Sequence, residues 1–248
     1  MYDILMLSAE KDFNKIKFVY ESINKNIENF NKIYCISNIK VKNKDKVSGI
    51  EYYTDDEVLN FNFSKFKGKV YNRRGWYIQQ YIKLFQNITL PEYLVVDSDI
   101  IFNKKIDIFE NYKPNFFFGR NQNHKPYFDF MKRILDLDKS YNYSFINEIM
   151  FFKRVFILHM LDVLNVNLDE FFNKSVEILN DMNQDAGMSE YELYGNFVTK
   201  YIPNSYNYKK INTYLGGKHN VWSDNDIKEY INKYKNTNYD IISMHSWI

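Results

Sequence analysis

Apolar residues recur along this chain in two periods, and the order of the periods predicts an architecture. Residues 3–7 (DILML) make a short, nearly unbroken apolar run, the mark of a buried strand. Residues 11–27 then place Phe13, Ile16, Val19, Tyr20, Ile23 and Ile27 at helical spacing, and residues 32–37 return to a strand-like run. Strand, helix, strand is the start of an α/β sheet with parallel strands. A polar loop over 41–49 leads to another short apolar piece at 50–53. Residues 75–87 predict a helix with a wide apolar face, and 93–96 predict a strand after the Leu90-Pro91 turn. Residues 116–119 read as a strand ending in glycine, and 127–137 and 153–164 as helices. Ser189 opens a further helix: with Glu192 three residues on, SEYE fits the capping box, in which each side chain bonds the other residue's backbone N–H. Leu215-Gly216-Gly217 marks a turn, 224–234 a polar helix with Ile227, Tyr230, Ile231 and Tyr234 on one face, and 240–244 a closing strand. With neither repeat nor linker, one domain spanning 1–248 is the simplest organisation.

Composition narrows the class. Of 248 residues, 33 are basic and 31 acidic, a net charge of +2 that argues against a protein coating nucleic acid. A single cysteine, Cys35, excludes an internal disulfide and sits in the apolar run IYCIS, as a buried thiol rather than a nucleophile. The chain is therefore compatible with a reducing cytosol. The N-terminal apolar run is too short for a signal peptide, and no segment offers the ~20 apolar residues of a membrane span. The most apolar helix candidate, FFKRVFILHMLDVL, is interrupted by Lys153, Arg154, His159 and Asp162. A soluble, cytoplasmic protein is expected, with peripheral attachment at the inner face of the membrane left open.

Candidate chemistry centres on YLVVDSDIIF, residues 93–102, where Asp97 and Asp99 interrupt an apolar run. The predicted strand ends there, and ligand crevices of open α/β sheets lie just outside the carboxyl ends of strands. The pair is thus expected at the rim of the sheet. A divalent cation resolves the repulsion of two converging carboxylates. Oxygen ligands suit Mg²⁺ or Mn²⁺, such ions commonly hold substrate phosphates, and a nucleotide diphosphate would complete the coordination. The ion would neutralise charge building on the leaving diphosphate. Two other readings stand beside this one. The pair can belong to a surface turn, its side chains bonding local backbone. It can also serve a Mg²⁺-dependent phosphohydrolase with Asp97 as nucleophile; haloacid-dehalogenase-type phosphatases carry such a pair, but near the chain start and followed by glycine and threonine, where this chain has Ile100 and Ile101. A nucleotide-triphosphatase reading fails for want of a Gly-Lys-Ser/Thr loop. The 19% aromatic content admits a third class, a non-catalytic glycan-binding module.

Six segments in order, RRGWYIQQYIKLF, YLVVDSDIIF, HKPYFDFM, SFINEIMFFKR, SEYELYGNF and the terminal MHSW, resemble a family of bacterial glycosyltransferases tied to capsule and surface-polysaccharide synthesis, long catalogued only as a domain of unknown function. The resemblance spans nearly the whole chain. It implies a GT-A-like α/β fold around a mixed, mainly parallel sheet: a Rossmann-like nucleotide-binding half (about 1–105) merged with an acceptor-binding half (about 106–248). It also implies a nucleotide-sugar donor and, as acceptor, a hydroxyl of a glycan or lipid-linked glycan. Asp99 then binds the metal, Asp97 the metal or the ribose, and His245 completes the metal site. Arg73 or Arg74, at a helix start, suits diphosphate oxygens, and only one of two adjacent side chains is expected to reach them. Trp76 and Gln80 on that helix border the donor, with Gln79 beside them, and Ser8 at the end of the first strand borders the base. Glu190, Glu192 and Asp185 are the candidates for the base that takes the acceptor's proton. The alternatives for the two glutamates are the capping box for Glu192 and, for Glu190, a first helical turn whose dipole lowers basicity. His124 and Asn147-Glu148 are placed around the acceptor or sugar pocket, whereas His159 reads as structural and His219 as a loop residue.

Overall fold

The computed structural model describes residues 1–119, 122–216 and 222–245. Strand β1 (Tyr2–Ser8) is buried at every position, at the middle of a five-stranded sheet. A strand covered on both faces has no use for polar alternation, which is why DILML reads as one apolar run. A 3₁₀ turn (Glu10–Lys15) leads into α1 (Ile16–Asn26), so the helical pattern over 11–27 is split rather than continuous. The cause is Lys15, whose buried ammonium donates to Asp12 Oδ1 at 2.6 Å and to the Met244 carbonyl at 2.7 Å. Three residues per turn put positions 12 and 15 on one side, as that pairing requires.

Strands β2 (Phe30–Ser37) and β3 (Ile50–Thr54) extend the sheet in parallel on one side of β1. Cys35 lies in β2 and is fully buried; burial pushes its thiol up to about 12, so it stays protonated and inert. The short helices α2 (Asp55–Val58) and α3 (Gly68–Asn72) precede α4 (Arg74–Phe85), and β4 (Glu92–Asp97) then pairs in parallel with the other side of β1. β5 (Ile100–Phe102) leaves this sheet. After β6 (Phe109–Glu110), β7 (Lys113–Phe118) and α5 (Lys125–Leu135), β8 (Ile149–Lys153) closes the sheet antiparallel to β4. The order is β3-β2-β1-β4-β8. The hydrophobic pattern hid β8, because it runs without a break into α6 (Arg154–Leu164) and two periods merge in FFKRVFIL.

The chain continues through α7 (Leu168–Met182), α8 (Glu190–Tyr201), β9 (Asn207–Lys210), β10 (Thr213–Gly216), α9 (Asp224–Tyr234) and β11 (Ile241–Met244). The pattern reading missed α7 as well. Two small sheets result, β6-β7-β9 and β10-β11-β5, each with one parallel and one antiparallel pair. The architecture is therefore mixed α/β with a mainly parallel central sheet, as expected. One apolar core runs from Tyr2 to Ile241, and a smaller cluster under α9 joins Phe18, Ile101, Trp222, Ile227, Ile242 and Met244. Among the described residues, no helix is long and apolar enough to cross a membrane. The turn expected at 215–217 lies partly, and His219 wholly, outside the described residues, as does the chain beyond His245.

Helix α8 explains much of SEYELYGNF. It is buried from Glu190 to Val198, and Gly195 lets it lie against the face of the Phe145 ring, where any Cβ would overlap ring carbons. Only half of the expected capping box forms: Ser189 Oγ accepts from Glu192 N at 3.3 Å, but the Glu192 carboxylate turns away to other donors. Gly195→Ala is expected to lower stability by about 2–3 kcal/mol through overpacking, despite alanine's better helix propensity. Urea denaturation of the two proteins measures it; an unchanged midpoint would show that α8 and Phe145 are not in contact.

Candidate active site

The sheet register assembles the site. Asp97 at the end of β4 pairs with Leu7 of β1, Ser8 with Ser37 of β2, and Ser37 with Thr54 of β3. One residue beyond this ladder the chain continues as Ala9, Asn38 and Asp55, with Ser98-Asp99 alongside. A cavity of about 500 Å³ opens over that row, at the carboxyl ends of four parallel strands. Asp97, Asp99 and His245 stand at one end and Asp55 at the other. Arg73, Trp76, Gln79 and Lys83 line it from α4, at the i, i+3, i+6 and i+10 positions of a single helix face.

Each member of the Asp97–Asp99 pair has a basic partner. Lys83 Nζ lies 3.5 Å from Asp97 Oδ1, 2.9 Å from Glu190 Oε1 and 3.4 Å from the Tyr191 hydroxyl, with the Tyr191 ring 4.5 Å below it. Its side chain is only 12% exposed. Burial opposes the charged ammonium, but Glu190, Tyr191 and Asp97 outweigh it and hold the Lys83 pKa well above its usual value. Burial raises the Asp97 pKa, Lys83 works against that rise, and the Asp99 charge adds to it. At Asp99 burial again opposes ionisation, yet the hydrogen bond and charge of His245 carry the carboxyl below its ordinary value. His245 reaches it because β11 runs antiparallel to β5 with Ser243 opposite Ile100. The Met244 N–H then donates to the Asp99 carbonyl at 2.7 Å, and His245 Nδ1 lies 3.0 Å from Asp99 Oδ2.

Two carboxylates suit Mn²⁺ or Mg²⁺, and an imidazole beside them favours Mn²⁺, since Mg²⁺ prefers oxygen ligands alone. Among the described residues, no three His, Cys, Asp or Glu side chains converge enough to hold an ion unaided. A cation at Asp97, Asp99 and His245 would need further ligands from water or from a bound phosphate.

The other residues singled out from sequence divide sharply. Arg73 lines the cavity, its guanidinium 4.7 Å over the Trp76 ring, whereas Arg74 turns to Tyr71, stacking on its ring and donating to its carbonyl at 3.3 Å. Trp76 is on the wall and stacks with Tyr127. Gln80 is buried behind the wall, accepting from Glu190 N at 3.1 Å, and Gln79 takes the cavity position instead. Ser8 is buried between Leu7 and Ala9, which line the cavity; successive strand residues face opposite sides. Glu190 is joined to the site through Lys83. Glu192 is buried among Ser144 Oγ (2.5 Å), Phe145 N (3.2 Å) and Asn196 Nδ2 (3.0 Å), and burial raises its pKa. Asp185 is exposed in the α7–α8 loop and does not reach the cavity wall. His124 Nε2 bonds the Ala186 carbonyl at 2.9 Å. The Glu148 carbonyl accepts from Asp97 N at 3.0 Å and its carboxylate from Thr213 Oγ1 at 3.1 Å, so the 147–148 pair buttresses β4. His159 is on the exposed side of α6, against Phe197.

Lys83 and Asp55 were missed in the sequence. For Lys83 a signal existed: it stands seven residues, about two helical turns, beyond Trp76 and so on the same face. For Asp55 only the strand order reveals the placement.

A mixed α/β fold with an acid-rimmed cavity at its strand ends defines the class. In sequence, the chain belongs to the family described as "Family of unknown function (DUF6492)", whose model matches residues 6–240. No curated protein matches it. Among solved structures it is similar to the galactosyltransferase LgtC in complex with donor and acceptor sugar analogues, at 8% identity and a TM-score of 0.46, over 98% of this chain and 86% of that one. It is similar in the same degree to an active-site mutant of LgtC, at 8% identity and a TM-score of 0.46, over 99% of this chain and 88% of that one. Likeness at that level carries neither activity nor substrate.

Lys83→Met leaves the buried Glu190 carboxylate and the half-buried one of Asp97 without their shared cation and is expected to cost about 3 kcal/mol at pH 7.5. The cost should shrink toward pH 5, because Asp97, already raised by burial and no longer held down by Lys83, takes up a proton there and sheds its charge. Urea unfolding at both pH values tests this; an equal cost at both would remove the charge bridge.

Proposed function

We propose that the protein is a metal-dependent glycosyltransferase of the GT-A type, moving a sugar from a nucleotide-sugar donor to a hydroxyl of a growing surface glycan, free or lipid-linked. The observation that carries this reading is the joining of Asp97, Asp99, His245 and Arg73 in one cavity at the carboxyl ends of parallel strands. That cavity offers acidic metal donors and an arginine fork on adjacent walls, the pairing that a metal-bound diphosphate asks for. The ordered segments from RRGWYIQQ to MHSW add support by their resemblance to capsule-type transferases.

Asp99, Asp97 and His245 would hold the Mn²⁺ or Mg²⁺ ion, with diphosphate or water oxygens completing its shell. When bound, that ion supplies positive charge to the departing diphosphate. Arg73 binds diphosphate oxygens, and its stacking on Trp76 fixes the plane of its fork. Lys83 works against the burial that raises the Asp97 pKa, and through Glu190 it ties the metal end of the cavity to α8. In transfer, the bond between sugar and diphosphate breaks, a bond to the acceptor oxygen forms, and that oxygen's proton passes to a carboxylate. Of the three candidate acids, Glu190 alone is connected to the metal end, through Lys83; buried behind the cavity wall, it is assigned the positioning of that lysine. Glu192 serves the packing of α8 and the 144–145 loop.

Calorimetry with UDP, GDP and CMP, each with and without Mn²⁺, tests the reading. One nucleotide is expected to bind at least tenfold more tightly with the ion. Asp99→Ala is expected to abolish that gain, and to lower transfer at least a thousandfold with an unchanged circular dichroism spectrum. Failure of every nucleotide to bind better with metal would overturn it.

A further inference from the structure

The acids of the cavity are nearly all engaged. Asp97 faces Lys83, Asp99 faces His245 and Asp12 faces Lys15. Asp55 is different. Among the described residues its carboxylate has neither a hydrogen bond nor an ion pair, although it lines the same cavity. Nor does it cap α2, because Thr54 and Glu57 already form that helix's capping box. Burial, and Asp56 beside it, push its pKa up to about 6, so the native fold holds a carboxylate at neutral pH against its own preference. An acid with no structural partner, kept where its charge is disfavoured and facing a cavity, is a candidate for ligand contact.

Its position says which part of a ligand it meets. Asp55 follows β3 and Asp97 ends β4, with β2 and β1 between them. Three strand spacings of about 4.8 Å separate the two by roughly 14 Å across the sheet. That span suits an extended nucleoside diphosphate. With the diphosphate held at Asp97, Asp99 and Arg73, the nucleoside reaches the β3 end. The opposite orientation would set the diphosphate against a carboxylate that has no cation, which charge repulsion forbids. An ionised carboxylate only accepts, and its two oxygens match two donors side by side. A nucleoside offers such a pair in the ribose 2′,3′-diol or in the adjacent N–H groups of guanine. Asn38, at the end of β2 and on the same wall, adds an amide that both donates and accepts.

We propose that Asp55 is a specificity-determining residue, accepting paired hydrogen bonds from the nucleoside of the donor. This rests on the transferase reading above, and the test separates the two.

The test compares the unaltered protein with Asp55→Ala and the isosteric Asp55→Asn, by calorimetry in Mn²⁺. The probes are UDP, GDP, CDP, their 2′-deoxy counterparts, IDP and inorganic pyrophosphate. Both variants are expected to bind the preferred nucleotide at least tenfold more weakly and pyrophosphate as well as the unaltered protein does. Where the ribose is the contact, the preference of the unaltered protein for ribo- over deoxynucleotide disappears in the variants. Where guanine is the contact, its preference for GDP over IDP disappears. Full nucleotide affinity in both variants would overturn the inference while leaving the transferase reading intact. A parallel loss of pyrophosphate binding would also overturn it, by showing a general effect on the cavity. No nucleotide binding by the unaltered protein would remove the transferase reading itself.

Discussion

Two carboxylates two residues apart at the end of a buried strand repel each other, and burial makes the repulsion worse. Much of this molecule is arranged around that conflict. Lys83 leans from α4 onto Asp97, and His245 arrives from β11 onto Asp99, so two elements distant in sequence are drawn to one strand end. Each interaction is partial. Lys83 is shared between Asp97 at 3.5 Å and Glu190 at 2.9 Å, and the shorter contact goes to Glu190. Asp97 is thus left with a weak, long contact and a pKa that burial raises. A divalent cation with diphosphate oxygens is the species that would satisfy both acids together.

The scaffold makes that arrangement rigid. The strands β1 to β4 are parallel and in register, so their carboxyl ends form a single rim from Asp97 to Asp55. α4 lies across the rim and supplies both the arginine and the lysine. Behind it, α8 is buried from Glu190 to Val198 and locked by Gly195 against Phe145 and by Glu192 against the 144–145 loop. Glu190 and Glu192, two residues apart on a helix, point to different sides, and this separates a residue of the site from one of the scaffold.

The central strands, the α4 helix and the place of Asp97 and Asp99 at a strand end were legible in the sequence, because long apolar runs and helical periodicity report burial directly. What periodicity cannot report is the direction of a single side chain. Gln80 was expected on the cavity wall, and Gln79 stands there; Ser8 was expected at the base, and its neighbours Leu7 and Ala9 face the cavity. β8 was invisible because it abuts α6 without a turn, although α7 had a readable start in Asn167 and Glu170, which form a capping box. Asp55 carries no local signal, since its neighbours across the rim come from β2, β1 and β4, and only sheet order brings them together.

The most direct measurement is the crystal structure of the protein with Mn²⁺ and its preferred nucleoside diphosphate, with the ion located by its anomalous scattering. The predicted result is an ion in direct contact with an Asp99 oxygen and the diphosphate in the same cavity, beneath α4. An ion or nucleotide bound elsewhere, with the Asp99–His245 and Asp97–Lys83 contacts untouched, would contradict it.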